Sequence, residues 1–519
     1  MPPSPTQPGV LSHSLPNDNL LDWSSVYSYD SSFGMDSPQD FPPGPSRPSH
    51  RQATKSSNQQ SNIIDLGGVQ TRESLSLSGT PDRSKNQPAL YQVPSSTPVI
   101  RRIASYRHYL PSAAPKRGNV SAREMGTYLA IELDGLRPTK IVDLPNIIFP
   151  DSCLPFTVDE TLLRQLGDVW DAQKKVLFPP VAYTEVAVQN WFNAIANNIT
   201  SVTNIHLNPP RFWSAQFCNN VLPNNELQRK PDIVLIKNML TPFDWRSVHG
   251  VAEVTSRSKL HADMMRTINN KTYLMFCTQH NRRFVPFLAV CSEKIYFLVT
   301  DREGQAMSEI CHRQQGEYHA LSLIRVIVAL MFAEDETTGF DPTMTTSRDG
   351  EISTISGNGR VYQVKSTVHA VRGIVGRSTR VWSAIDSMDR SRKLCIIKDG
   401  WIQQGRADAE RQHLAKLHGI PGVPTLIWGG TVQVHDSKDP SRQRFCDDNT
   451  RWIRHGFSDE SAYRLHRRLI LTPVGQNLST FTSLGELVAA LRDVAVGMSM
   501  TIFIHHMLIV FRNSASRML

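Results

Sequence analysis

Gly373-Ile-Val-Gly-Arg-Ser-Thr-Arg-Val-Trp-Ser-Ala384, followed by Arg392-Lys-Leu-Cys-Ile-Ile-Lys398, is the stretch from which the rest of the chain is read. A small-residue turn leads into a strand, and the next strand ends in a lysine. A turn of Gly376, Arg377, Ser378 and Thr379 lets backbone N–H groups approach phosphate oxygens, and Lys398 can place an ammonium on the same anion. A plain hairpin would look the same, so the neighbours decide.

Downstream, Ala409 to Leu417 reads as a helix with Leu414 and Leu417 facing inward and Glu410 one turn before Leu414. Two extended pieces follow, Val423 to Trp428 and Arg468 to Gly475, separated by a polar loop from Asp436 to Ser461. Upstream, Ile352 to Ile355, the turn Gly357-Asn-Gly359 and Val361 to Lys365 form a hairpin pattern. Glycine turn, strand with lysine, helix with glutamate, two strands and a Pro/Gly bend follow the order of a protein-kinase N-terminal lobe. In that lobe the strand lysine binds the α and β phosphates and pairs with the helix glutamate. Lys398 and Glu410 fit these roles.

The composition sets wider bounds. At 519 residues and 40% hydrophobic content there is room for two or three domains with real cores. The net charge is +9, but the basic residues are scattered, as at Arg101-Arg102, Arg282-Arg283 and Arg467-Arg468, which permits a nucleic-acid partner without specifying one. Seven cysteines at irregular spacing give neither a zinc pattern nor a disulfide framework. No secretory signal is visible, and the longest apolar runs, 321–333 and 500–511, fall short of a bilayer span, so an intracellular protein with no membrane partner is expected. Residues 1–118, rich in Pro, Ser, Asn and Gln, read as a disordered tail, with one aromatic patch from Leu20 to Phe33.

Residues 119–345 read as an α/β domain. Thr157-Val-Asp-Glu160 has capping-box spacing ahead of Leu162, Leu163, Leu166, Val169 and Trp170. Val188, Phe192, Ile195 and Ile199 mark a second helix, and Leu260, Met264 and Ile268 a third. Strands are expected at Arg229–Ile236 and His249–Thr255, each carrying one carboxylate, and at Phe284–Cys291 and Lys294–Thr300, with a buried helix at Leu321–Ala333. The order of Asp232 and Glu253 is similar to the core of the restriction-endonuclease-like nucleases, where two carboxylates and a lysine hold Mg²⁺ over a phosphodiester. Thr255 stands at the lysine's position. Asp232 as a turn residue and Glu253 as an exposed or paired strand residue is the plainer alternative.

Several further blocks make the first resemblance specific: Arg229-Lys-Pro-Asp-Ile-Val-Leu235, Gln279-His-Asn-Arg-Arg-Phe-Val285, Thr300-Asp-Arg-Glu-Gly304, Gly339-Phe-Asp-Pro-Thr343, Gly376 to Ala384, Gly419-Ile-Pro-Gly-Val-Pro424 and His466 to Gly475. Together they resemble the fungal-type protein kinase family over roughly residues 120–497. The resemblance implies a bilobal, ATP- and Mg-dependent enzyme whose nucleotide site includes Gly376, Ser378, Lys398 and Glu410. It leaves the protein substrate unspecified.

Three departures bear on activity. Ser378 stands where the family has its second glycine, and the loop is shorter than the Gly-x-Gly-x-x-Gly of protein kinases. Leu491-Arg492-Asp493, the one lookalike of a catalytic loop, falls inside an expected helix capped by Ser483 and packed through Leu484, Leu487, Val488 and Leu491, with Met498 where asparagine is required. Beyond Gly497 the sequence leaves the family pattern, and the adjacent His505 and His506 do not make a metal site.

The expectation is therefore an α+β protein. A disordered tail precedes a weakly nuclease-like α/β domain, a kinase-like N-terminal lobe at 346–497 lacking most of its C-terminal lobe, and a non-family segment at 498–519. Phosphotransfer is not expected. A noncatalytic scaffold and a nuclease-like or nucleic-acid-binding module are the alternatives.

Overall fold

The computed structural model describes residues 122–496, apart from short stretches at 134–137, 168, 175, 178, 207–209, 224–227, 238–242, 313–316, 421, 455–462 and 476–479. The expected tail, its aromatic patch, Met498 and the segment 498–519 lie outside the described residues. The described residues fall in one compact unit and are built on two seven-stranded sheets.

The first sheet contains β1 (Thr139–Lys140) and β4 to β9: Arg211–Ser214, Ile233–Lys237, Val248–Val254, Val285–Val290, Lys294–Thr300 and Gln305–His312. Between β1 and β4, β2 (Trp170–Asp171) and β3 (Val176–Leu177) form a small separate hairpin. The order is β1-β9-β8-β7-β6-β5-β4, with β6/β7 and β1/β9 parallel and the other pairs antiparallel. Ile233 to Ile236 are all fully buried and Val285 to Val290 nearly so, the continuous apolar run of strands covered on both faces.

Helices supply both covers. On one face lie α1 (Ala122–Glu132) and the later helix Ala262–Thr278, which share a core with Val234, Ile236, Val251 and Phe287. On the other lie α2 (Leu144–Ile148), α3 (Glu160–Gln165), α4 (Glu185–Thr203) and the helix Glu317–Phe332. The two later helices are α5 (Ala262–Thr278) and α6 (Glu317–Phe332). The spacing of Val188, Phe192, Ile195 and Ile199 produced the expected helix, and all four are fully buried on α4.

One sequence expectation is corrected, and β1, β4 and β9 of the first sheet fall outside the strands expected. α3 is capped by Asp159, whose Oδ1 accepts from the Leu162 amide at 3.0 Å, and it stops at Gln165; Trp170 pairs in β2 instead. The helix ends there because the apolar residues after Leu166 reach the core from a turn and a hairpin rather than another helical turn. β9, which joins the sheet beside β8, was not anticipated: Gln305 to His312 mixes polar and apolar residues without the dense apolar run of its neighbours.

The second sheet is antiparallel throughout. It holds β10 (Met344–Thr346), β11 (Ile352–Gly357), β12 (Arg360–Ala370), β13 (Arg380–Asp386), β14 (Leu394–Gln403), β15 (Thr425–Thr431) and β18 (Arg464–Thr472). β16 (Gln433–His435) and β17 (Phe445–Asp447) form a separate hairpin. Asn358 and Gly359 both take positive φ, 54° and 68°, as the tight β11–β12 turn requires. The order β10-β11-β12-β13-β14-β18-β15 sets β14 in the interior of the sheet and brings β18 between β14 and β15. The strand that carries Lys398 is thereby hydrogen-bonded on both sides.

Candidate functional site

The site grows from β14. Cys395, Ile397, Asp399 and Trp401 are buried on one face, so Lys398 points to the other. The helix α7 (Ala409–Lys416) follows β14 and carries Glu410, whose carboxylate accepts a hydrogen bond from Lys398 Nζ in a close ion pair. The side chains are 32% and 46% exposed, so the pair sits at an open surface rather than in a core. α7 has no buried residue; Leu414 and Leu417 are half-buried, short of the inward packing their spacing suggested.

The loop between β12 and β13 is placed differently. Gly376 and Ser378 lie in a segment anchored to the first sheet's domain, away from Lys398's face. Ile374 is fully buried in the core shared by α1 and α5, and Val375 packs against it. Glu132, the last residue of α1, accepts with one oxygen, Oε1, from the amides of Ile374 and Val375, both at 2.7 Å. The Gly376 amide donates to the Arg302 carbonyl at 2.9 Å, and Arg302 Nη1 donates to the Gly373 and Ile374 carbonyls at 3.1 and 3.3 Å. Burial pushes the Glu132 carboxyl up to about 6, and the two amides offset this only in part. Gly373 has φ 141°, and a Cβ there would meet Glu132 Oε1 at 3.0 Å, so glycine is what admits the carboxylate.

Ser378 takes φ 43°, a left-handed conformation that glycine adopts more cheaply, and it is buried. With Arg283, Arg380, Asp399 and His466 it lines a water-sized cavity of about 10 Å³. Lys398 does not line this cavity, so the second-glycine position and the lysine serve opposite faces of the sheet.

Beside that cavity lies a buried charge cluster. Arg468 Nε and Nη2 donate to the two oxygens of Asp399 at 2.8 and 2.7 Å, and Nη2 also reaches Asp341 Oδ2 at 3.2 Å. His466 bridges Asp399 (Nε2, 3.2 Å) and Asp448 (Nδ1, 3.0 Å), its ring stacked on Trp401 at 4.7 Å. Asp448 in turn accepts from Arg283 at 3.1 Å. Burial pulls the His466 pKa down, but the two aspartates outweigh it and raise the group to about 9. A histidine whose folded pKa lies above its unfolded one stabilises fully below the unfolded value near 6.5, and that stability is lost as pH rises through about 9. Urea midpoints measured from pH 6.5 to 9.5 are expected to fall, and His466→Gln is expected to flatten the fall. Among the described residues, Asp341, Asp399 and His466 are the one group with metal-ligand spacing, but Arg468 already neutralises it, so a divalent cation does not fit there.

β14 carries the lysine and the helix after it carries the paired glutamate, in the chain order read from the sequence, while β18 lies between β14 and β15. A family model described as fungal protein kinase matches residues 230–503, more than half of the chain. The chain belongs to the fungal protein kinase family. No curated protein matches it, and no solved structure does.

The family match begins at Lys230, inside the first sheet's domain, and takes in Asp232 and Glu253. Glu253 on β6 is buried, and Asp232, just ahead of β5, is half-buried. The Asp232 Oδ2 accepts from the Val254 amide at 2.9 Å, and the Asp232 amide donates to Glu253 Oε1 at 3.4 Å. Thr255 contributes no charge, yet an ammonium is present. Lys271 of α5 bonds Glu253 Oε1 closely and lies 3.9 Å from Asp232 Oδ1. Burial pushes the Glu253 carboxyl up to about 7, despite Lys271. Sequence reading missed Lys271 because it is distant in the chain and interrupts an apolar helix stripe. A lysine fully buried on such a helix is the signal that could have found it.

In this fungal kinase chain Asp493 lies within helical residues 484–496, as expected. Ser483 Oγ accepts from the Glu486 amide at 3.1 Å, and Glu486 accepts from the Thr482 amide at 2.7 Å, so the capping box forms. The expected packing forms only in part: Leu484, Val488 and Leu491 are 74%, 63% and 50% exposed, and Leu487 is half-buried. Among the described residues no helix is long and apolar enough to cross a membrane.

Proposed function

We propose that the second sheet with α7 is a kinase-type nucleotide holder in which Lys398, fixed by Glu410, anchors the phosphates of ATP. The observation that carries the reading is the Lys398–Glu410 pair on an open face of a sheet with this strand order. An ammonium held by a carboxylate is what diphosphate binding needs. Magnesium, when bound beside ATP, neutralises charge on the transferring phosphates, but the residues that would hold it do not fit. Asp399 faces the buried cluster, and Asp493 lies within a helix, so neither meets Lys398's face with a free carboxylate. We infer nucleotide binding through Lys398 and Glu410 and, since neither aspartate is placed to position magnesium on that face, no phosphoryl transfer by these residues alone. The family's protein substrates then become protein partners of a scaffold. Lys398→Ala is expected to weaken binding of a fluorescent ATP analogue about 10- to 100-fold, the worth of a charge-assisted contact. Equal affinity in the variant, or transfer of radiolabelled phosphate that Lys398→Ala abolishes, sinks the reading.

A second reading is favoured by one specific observation. α4-β4-β5-β6-α5-β7, with β4/β5 and β5/β6 antiparallel and β6/β7 parallel, places Asp232, Glu253 and Lys271 together. Two carboxylates and an ammonium suit a magnesium-dependent attack on a phosphodiester, with Asp232 the accessible member. Magnesium-dependent cleavage of DNA or RNA, lost in Asp232→Ala, supports it; no cleavage leaves the trio a structural ion pair.

A further inference from the structure

A phosphate-binding turn works by aiming successive backbone amides at an anion. In this chain the amides of Ile374, Val375 and Gly376 are all engaged inside the protein, and the first two hold an anion already: the Glu132 carboxylate. The hold is reinforced from three sides. Ile374 is a fully buried core residue, the buried Arg302 grips the carbonyls of Gly373 and Ile374, and its guanidinium is stacked over Phe276 at 3.7 Å. At the loop's far end Arg380 Nη2 donates to the Phe276 carbonyl at 2.6 Å, and the Arg377 carbonyl accepts from the Trp401 amide at 2.8 Å. A plain structural joint could be made by Ile374 alone. The extra element is the carboxylate of half-buried Glu132, sharing one oxygen between two consecutive loop amides.

We propose that Glu132 is an internal phosphate mimic: it occupies the anion position of the glycine loop, and a nucleotide phosphate must displace it to engage the amides of Ile374 and Val375. The contacts of Glu132 and Arg302 hold the loop onto the first sheet's domain, so nucleotide binding and loop release are one coupled step. This rests on the nucleotide-holding reading above.

The test uses the full chain, a fluorescent ATP analogue with magnesium, and amide hydrogen exchange over residues 371–379. Glu132→Ala is expected to bind the analogue about 10-fold tighter than the natural chain, a coupling of ordinary size. It is also expected to exchange the 374 and 375 amides faster, and saturating analogue should speed the same amides in the natural chain. Glu132→Gln keeps one carbonyl oxygen for the amides and removes the charge; if thermal melting shows Glu132→Ala to be unfolded, this variant is read in its place. Binding by the natural chain that Glu132 variants do not tighten overturns the mimic and leaves the nucleotide site standing. Absence of binding in every chain overturns both. Unchanged exchange at 374 and 375 overturns the mimic alone.

Discussion

Arg468→Met is expected to lower the unfolding free energy by about 3–5 kcal/mol, the range for stripping one partner from a buried ion network. Arg468 is 1% exposed and places its guanidinium against Asp399 and Asp341, both nearly inaccessible, while Nη1 donates to Thr343 Oγ1 and the Ser356 carbonyl at 2.8 and 2.6 Å. Methionine fills the volume but leaves two buried carboxylates with His466 as their remaining cation. Burial opposes the charge on Asp399, and Arg468 is the largest influence holding its pKa low. Removing Arg468 therefore forces protonation or hydration. The cluster joins the two sheets, since Asp341 and Arg283 come from the first sheet's side and Asp399, Asp448 and His466 from the second. The measurement is a urea unfolding curve of each chain at pH 7. A change under about 1 kcal/mol would mean that the cluster is open to water, contrary to its burial.

The second large effect belongs to Lys271. Lys271→Met leaves Glu253 buried without its ammonium, and the loss is again expected at about 3–5 kcal/mol near neutral pH. It should shrink in acid. The Glu253 carboxyl is already raised to about 7, so its folded state favours the neutral acid; that contribution is full below the unfolded value of 4.5 and is lost as pH rises through about 7. Lys271→Met is thus expected to be most damaging above pH 7 and mildest near pH 5. Thermal melting across that range checks it, and a loss independent of pH would refute the pairing. Asp232→Ala behaves differently. Its side chain is 25% exposed, and what it loses is one hydrogen bond from the Val254 amide and a long, 3.9 Å ion pair with Lys271, together about 1–2 kcal/mol. That contrast is why the cleavage test uses Asp232→Ala: a lost activity there cannot be dismissed as a lost fold.

Local pattern carried a large part of this structure. Val188, Phe192, Ile195 and Ile199 made a helix because their spacing gives one buried stripe, and Ile233–Ile236 made a strand because a short continuous apolar run suits a doubly covered sheet. The strand lysine and the helix glutamate were legible for the same reason, each being set by an element only a few residues long, and the structure pairs them. Gly376 and Ser378 were legible as a turn but not as an anchored one. What holds them, Glu132 and Arg302, lies about 240 and 70 residues away in the chain, and no local period connects such groups.

Sequence by itself determined the order of turn, lysine strand and glutamate helix in the second sheet's region, and the placing of Asp493 in a helix. These come from periodicity, capping and turn chemistry, which act between near neighbours. Only the tertiary structure decided that Lys271 comes against Glu253 and Asp232, that Asp399 faces a buried arginine on the side of the sheet away from Lys398, and that the amides of Ile374 and Val375 hold a carboxylate. Each of those depends on which face of a strand is buried and on what a distant element brings against it, and burial is settled only when the sheets and helices have packed.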